Sequence, residues 1–445
     1  MTSTDAAELA GQATEQIFAA LALTDSAAKG GGVVVDSPPG AGKSTLVVTA
    51  ATRLADAGER VIVIAQTNEQ VDDLTGRLAA SRPDLRIGRI CATDYAPPAR
   101  LARHANVVLA TKADDLTDCP VITGTAHKWA TVKGISWPWA IVDEAYQMRS
   151  DLLLQVAGLF QRSLFVGDPG QLDPFSTVTT ERWTGLTWDP MQSAVAVLLR
   201  HNPDIPVHRL PVSWRLPASA APVVAEAFYP FTGFRSATVA EQRTMEFSAS
   251  AFCANALDSA VDTSASSGWA LYQLPGRHTV RTDAEAVAAC AALAARVLQR
   301  GAIFHSEWAV EPQPATAARI AVGTAHRDQA QAIRACLTEG GYPGVTVDTA
   351  NSLLGREFDL VIVLHPLSGR RDATAFHLEA GRLCVLTTRH RHACIVVARA
   401  GIPELLDSHP STEPVHLNVP VRFPDGWAAN QAVLSHLSQW KVQAG

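Results

Sequence analysis

Ser37-Pro38-Pro39-Gly40-Ala41-Gly42-Lys43-Ser44 constrains the local path of this chain more than any other stretch. It follows the β-branched run Val33-Val34-Val35 and precedes a helix-compatible segment from Thr45 to Leu54. A strand, a tight turn of small residues ending in Gly-Lys-Ser and a helix start together make a phosphate cradle. Turn N–H groups and the positive helix end converge on one point. The spacing puts phosphate against Gly40, Ala41, Gly42, Ser44 and Thr45, sends Lys43 to the β- and γ-phosphates, and gives Ser44 to Mg²⁺. Ser37 stands where the usual pattern begins with Gly. The close approach falls at Gly40 and Gly42, so the cradle survives the change.

The rest of the chain supplies the layers such a cradle needs. A length of 445 residues suggests two to three domains. Strand-like runs at Val61–Ala65, Val107–Ala110, Ala140–Val142 and Leu164–Val166 alternate with helical segments such as Thr67–Ala80, which implies a parallel α/β sheet. Residues 5–22 carry helical spacing of apolar positions. The turn-rich Asn202-Pro203-Asp204-Ile205-Pro206 reads as a boundary, giving expected domains 1–203 and 204–445. A second α/β run follows, with a helix over Thr282–Arg300 and strands at Ile320–Gly323, Val345–Asp348, Leu360–Leu364 and Cys394–Ala398. Ser236–Ser267 is small and polar and reads as loop or irregular helix, and Trp427 and Trp440 are expected to pin a C-terminal helix.

Bulk composition narrows the classes. The net charge of −6 advertises no global basic field, which leaves room for a local positive groove. Seven cysteines without Cys-x-x-Cys pairs indicate neither a zinc ribbon nor a disulfide framework. The first basic residue is Lys29, so no signal-peptide n-region is expected. No apolar run approaches the roughly 18 residues that span a bilayer. A cytoplasmic protein with no membrane partner is the expectation.

Two further strand ends carry chemistry. Trp139-Ala140-Ile141-Val142-Asp143-Glu144 is a buried-strand pattern ending in two carboxylates. Beside a phosphate cradle, Asp143 suits Mg²⁺ ligation and Glu144 suits the base that activates a water. Leu164-Phe165-Val166-Gly167-Asp168-Pro169-Gly170-Gln171-Leu172 ends a third strand in a polar turn, where Gln171 could sense the γ-phosphate. Trp137-Pro138-Trp139 is expected to pack at the start of its strand. His390 and His392 are expected in solvated or core roles, and Arg389 in a functional one.

In order along the chain these segments resemble the superfamily 1 helicases, and most closely the branch containing the RNA-surveillance helicase and related DNA replication and repair helicases. Gln16-Ile17-Phe18-Ala19-Ala20 resembles the adenine-reading glutamine motif. Gln66-Thr67-Asn68-Glu69-Gln70, Arg86-Ile87-Gly88-Arg89 and Thr123-Gly124-Thr125-Ala126 are similar to strand-contacting motifs, which gives Thr67, Asn68, Arg89 and Thr125 to nucleic acid. Leu210-Pro211-Val212-Ser213-Trp214-Arg215-Leu216-Pro217 resembles the aromatic-arginine motif, in which Trp214 stacks on adenine and Arg215 reaches the γ-phosphate. Ala321–Gln329 is similar to a strand–loop–helix of the second domain. Asp348–Glu357 is similar to the fifth motif, with Ser352 on nucleic acid and Glu357 on ribose, and Arg382–Arg389 resembles the sixth, with Arg389 as a second arginine finger.

The resemblance implies an α/β fold of two RecA-like, doubly wound parallel-sheet domains with an ATP cleft between them and minimal accessory insertions. It implies an ATP hydrolase that uses ATP and Mg²⁺ and translocates on single-stranded DNA or RNA, in the 5′→3′ branch. Leu354, Cys384 and His390 depart from the family pattern and bear on nucleic-acid coupling rather than on ATP chemistry. Two other readings stand beside it: a translocase that unwinds only with a partner protein, and a nucleotide-dependent protein-binding switch. The sequence gives no oligomeric state.

Overall fold

The computed structural model describes residues 3–24, 31–172, 174, 183, 189, 192–230, 232–249, 255–280, 282–411 and 424–445. Cys253 lies outside them. By packing, the chain divides into two units. The first comprises Glu8–Pro169 and Asp173–Leu210, and the second Met1–Ala7, Gly170–Leu172 and Pro211–Gly445.

The first unit is built on β1 (Gly32–Asp36), β2 (Val61–Ala65), β3 (Ile87–Ile90), β4 (Val107–Ala110), β5 (Val121–Thr125), β6 (Trp137–Asp143), β7 (Phe160–Gly167) and β8 (Val207–Arg209). They form one sheet in the order β4-β3-β5-β2-β6-β7-β1-β8, every pairing parallel. A parallel sheet is covered on both faces, so its central strands read as unbroken apolar runs. β1 and β2 are buried at every position. Alternate residues serve opposite cores. Val33 and Val35 join Ile17, Leu21, Val47 and Leu74 from α1 (Ser3–Thr24), α2 (Lys43–Asp56) and α3 (Asn68–Ser81). Val34 faces the other way, with Ile62, Ile64, Val142 and Phe165. Trp137 and Trp139 are buried at the start of β6, and Trp137 meets Trp129 edge-on at 5.2 Å.

The turn at Asn202–Pro206 does not end this unit. It connects a helix (Ala194–His201) to β8, whose Val207 pairs with Val34, and the packing division falls after Leu210. Turn chemistry marks a change of direction and carries no information on which sheet the next strand joins.

The second unit contains β9 (Val212–Ser213) paired with β10 (Arg235–Ser236), then β11 (Thr244–Phe247), β12 (Trp269–Leu274), β13 (Ala302–His305), β14 (Gln313–Pro314), β15 (Ile320–Thr324), β16 (Thr346–Thr349), β17 (Phe358–Leu364), β18 (His390–Arg399) and β19 (Lys441–Gln443). The main sheet runs β16-β15-β17-β18-β12-β19, again wholly parallel, and β11-β13-β14 form a small antiparallel sheet. Each unit is therefore a parallel sheet wrapped by helices on both faces, the RecA-like arrangement. The polar stretch expected as loop or irregular helix holds the end of β10, β11 and a regular helix, Ala256–Ser267, started by a reciprocal cap between Asn255 and Asp258. A helix at Gly426–Ser438 is fastened by the Trp427 indole, which donates to the Leu406 carbonyl at 2.9 Å.

Candidate nucleotide site

The carboxyl ends of β1, β6 and β7 form the rim where an open α/β sheet takes ligands. Beyond β1 the turn reverses through Gly40 (φ 74°) and Gly42 (φ 86°), backbone that favours glycine. Gly42 is also the residue before α2, and no side chain caps that helix. The first-turn N–H groups, including those of Ser44 and Thr45, are thus left to a ligand. Ala41 N–H closes the turn on Pro38 at 3.1 Å, and Ser37 N–H ties it to the Gly167 carbonyl at 2.7 Å.

Lys43 leaves the first turn of α2 and pairs with Glu144 at the end of β6. Both are largely buried, with side chains 16% and 7% exposed. Burial penalises the Lys43 ammonium, yet the carboxylates of Glu144, Asp143 and Asp168 outweigh that penalty and hold its pKa above the ordinary lysine value. Glu144 itself sits at φ 51°, a left-handed conformation costly for a residue with a Cβ. That conformation turns the chain sharply after β6, and Gln147 donates to the second Glu144 oxygen at 3.3 Å.

Asp143 is 4% exposed, and one of its oxygens is buried without a hydrogen-bond partner. Burial pushes its carboxyl up to about 7, Lys43 opposing and Glu144 adding to the rise. A carboxylate so placed gains from a cation, and the Ser37 hydroxyl is a second orphaned buried oxygen close in sequence to the turn. The residues fit a nucleotide phosphate with a divalent metal, Ser44 and Asp143 being the candidate metal residues. Asp168, 2% exposed, joins the same electrostatic cluster. Sequence reading quoted it and gave it no role, because Gly-Asp-Pro alone is an ordinary turn.

Gln16 is exposed on α1. Thr67 caps α3, accepting from Gln70 N–H at 3.2 Å. Thr125 caps a short helix after β5 through Lys128 N–H, also at 3.2 Å. Arg89 requires a correction. It is fully buried, and its guanidinium is taken by Asp72 at 2.8 Å, the Ile90 carbonyl at 2.6 Å and the Asn68 side chain at 2.9 Å. Its place on β3 behind α3 makes it a support of Asn68, not a group offered to a phosphate backbone.

In the second unit Trp214 is 36% exposed beyond β9. The Arg215 Nε donates to Glu357 at 2.9 Å, and Arg391 pairs with the other Glu357 oxygen. Burial opposes ionisation of Glu357, but Arg215 and Arg391 overcome it and bring its pKa down to about 2. Arg391 was not singled out from sequence. β17 and β18 run side by side from Phe358 and His390, so the residues flanking them become neighbours, which only the register reveals. Arg389 is 1% exposed and donates to the Val385 carbonyl at 3.1 Å and the Thr388 hydroxyl at 3.3 Å. Gln171 is buried and Ser352 exposed. His390 and His392 are both core residues.

Two family models, each described as an AAA domain, match the chain: AAA_30 over residues 13–180 and AAA_12 over residues 192–401. No curated protein matches at a significant level. Among solved structures, the arterivirus nonstructural protein 10 (helicase) in complex with DNA is 13% identical, with 83% of this chain and 60% of that chain covered at a TM-score of 0.42. The PRRSV helicase is 14% identical over 93% and 64%, at 0.43. The DUF1998 helicase MrfA bound to DNA is 10% identical over 92% and 52%, at 0.44. These are distant likenesses, and the chain spans about three-fifths of the length of the first arterivirus chain.

Proposed function

We propose that this chain, matched by two AAA-domain models and built on two RecA-like units, is a superfamily 1 helicase: a Mg-ATP-driven motor that moves on single-stranded nucleic acid. One observation carries the catalytic half of this reading. A glycine turn and an uncapped helix start after β1 stand beside a buried ion pair, Lys43 with Glu144, the latter at the carboxyl end of β6, one strand away across β7. Gly40, Ala41, Gly42, Ser44 and Thr45 cradle the phosphates, and Lys43 turns from Glu144 to the β- and γ-phosphates. Glu144, released, takes a proton from the attacking water. Ser44 and Asp143 hold the metal, which when bound neutralises charge on the phosphate oxygens.

The second unit contributes Trp214 to the adenine, Glu357 to the ribose, and Arg215 and Arg389 to the charge that spreads over the transferring phosphoryl group. Gln16 reads the adenine edge and Gln171 senses the γ-phosphate. Thr67, Asn68, Thr125 and Ser352 are the nucleic-acid residues, with Arg89 behind Asn68. We place the domain boundary near residue 210 and propose the 5′→3′ branch and a cytoplasmic location. Among the described residues no helix is long and apolar enough to cross a membrane.

The deciding experiment is ATP turnover by the full chain with and without single-stranded DNA and RNA. Stimulation by either supports the motor. Turnover unmoved by both would replace it with the protein-binding switch. Strand displacement on substrates with single 5′ or 3′ tails, with the chain alone, then separates an autonomous helicase from a translocase that needs a partner protein.

A further inference from the structure

Arg243 belongs to none of the motifs above, yet its guanidinium holds two backbone carbonyls of the aromatic-arginine motif and that of Arg391. The side chain is 1% exposed. Arginine offers five N–H donors in a rigid plane. Here Nε donates to Glu307 at 3.0 Å and Nη2 to the other Glu307 oxygen at 2.5 Å, a forked pair. Nη2 also donates to the Trp214 carbonyl at 2.8 Å. Nη1 donates to the Arg215 carbonyl and, at 3.3 Å, to that of Arg391. The guanidinium lies 3.9 Å from the ring centre of Trp308, which follows Glu307 between β13 and β14.

The contacts close a circuit. Arg243 holds the peptides of Trp214 and Arg215, the Arg215 side chain reaches Glu357, Glu357 takes Arg391, and the Arg391 carbonyl returns to Arg243. A fixed carbonyl fixes the peptide plane and hence the directions in which the flanking side chains leave the chain. Misplacement of a site group by about 1 Å is enough to cost activity.

We propose that Arg243, gripped by Glu307 and stacked on Trp308, is a positioning residue that presets the Trp214 ring and the Arg215 guanidinium for nucleotide, so that the hairpin between β13 and β14 is a working part of the site. The inference rests on the nucleotide reading above. Lysine cannot replace Arg243, because a point charge lacks the planar fork that meets a carboxylate and three carbonyls together. Reversing the pair cannot replace it either, because a carboxylate at 243 has no donor for the carbonyls.

The test is steady-state ATP hydrolysis by the full chain, with Arg243→Lys, Glu307→Gln and the reversed pair Arg243→Glu/Glu307→Arg. Arg243→Lys is expected to raise KM for ATP and lower kcat, each about tenfold, Glu307→Gln to do the same more weakly, and the reversed pair to recover neither. In a Trp214→Ala background, Arg243→Lys should add nothing further to KM, since a positioning effect acts through the residue positioned. A KM within twofold of wild type in both single variants would overturn the proposal, as would recovery of KM in the reversed pair or fully additive effects with Trp214→Ala. If Arg243→Lys does not fold, Glu307→Gln decides alone. A wild-type chain without turnover that Lys43→Ala abolishes would overturn the nucleotide reading and this inference together. Wild-type turnover with unchanged single variants overturns this inference only.

Discussion

Glu144 accepts the Lys43 ammonium from a strand end where its own backbone is left-handed, so the proposed base and the phosphate-binding lysine neutralise each other inside the first unit. On the proposed reading, nucleotide entering the cradle competes for Lys43, which ties binding of the substrate to release of the base.

Glu144→Gln keeps the size and a hydrogen-bond acceptor for Lys43 and removes basicity. ATP affinity, measured by equilibrium binding, should hold within a few-fold while kcat falls by about 10²–10⁴, the usual worth of a general base. Undiminished turnover would remove Glu144 from that role.

Lys43→Ala should abolish turnover and also cost stability, because Glu144, Asp143 and Asp168 then crowd without their cation. Breaking a buried pair from one side costs about 3–5 kcal/mol. Denaturant unfolding should show a lower midpoint, and adding Glu144→Gln should restore part of it. A single variant as stable as wild type would contradict the buried pairing.

Arg215 and Glu357 are joined at 2.9 Å, yet the proposal sends one to phosphate and the other to ribose. Their variants should therefore separate kinetically. Arg215→Ala should lower kcat by up to about 10³–10⁵, the range for arginine fingers, with a small change in ATP affinity. Glu357→Gln should chiefly raise KM. Equal effects of both variants on both parameters would argue that the pair only holds the fold.

Much of this was legible locally. The Gly40–Ser44 turn, the β6 carboxylates and the apolar strand runs each declare themselves within a dozen residues, because a parallel strand buried on both faces must be apolar throughout. What was not legible depends on register and distance along the chain. β12 (Trp269–Leu274) mixes apolar residues with Tyr272 and Gln273 and gave no strand signal, although it pairs with β18 on one side and β19 on the other in the second sheet. Arg89 looked like a basic residue in a contact motif. Only the fold places Asp72, 17 residues earlier, against its guanidinium. Arg391 and Arg243 likewise acquire meaning from neighbours that sequence spacing does not reveal.

The burial of Arg89 makes a prediction that separates support from contact. Arg89→Ala leaves Asp72 buried and frees Asn68, so stability should fall by about 3–5 kcal/mol. The slope of log Kobs against log[salt] for single-stranded DNA should stay unchanged, whereas loss of a true phosphate contact lowers its magnitude by about 0.7. A reduced slope in a stably folded variant would restore Arg89 to the interface.

The second unit also carries a built-in acid sensitivity. Burial holds His365 down to about 4; burial, with Arg370 and His326 adding, does the same for His377; and burial, with His392 next, holds His390 down to about 3. The ordinary value is about 6.5. Between those values the unfolded chain binds protons that the folded chain refuses. Stability is therefore full above about pH 6.5 and declines as pH falls toward 4, each histidine contributing a slope of at most about 1.4 kcal/mol per pH unit. His365 isolates one such group. Its Nδ1 accepts from Leu367 N–H at 3.2 Å, and its Nε2 has no hydrogen-bond partner. His365→Asn keeps an acceptor near the Nδ1 position and removes the titration. Urea midpoints measured from pH 7 to 4.5 should fall less steeply in this variant than in wild type, by about one proton's share. Parallel curves would show that His365 takes up its proton equally in both states and that its burial carries no pH dependence.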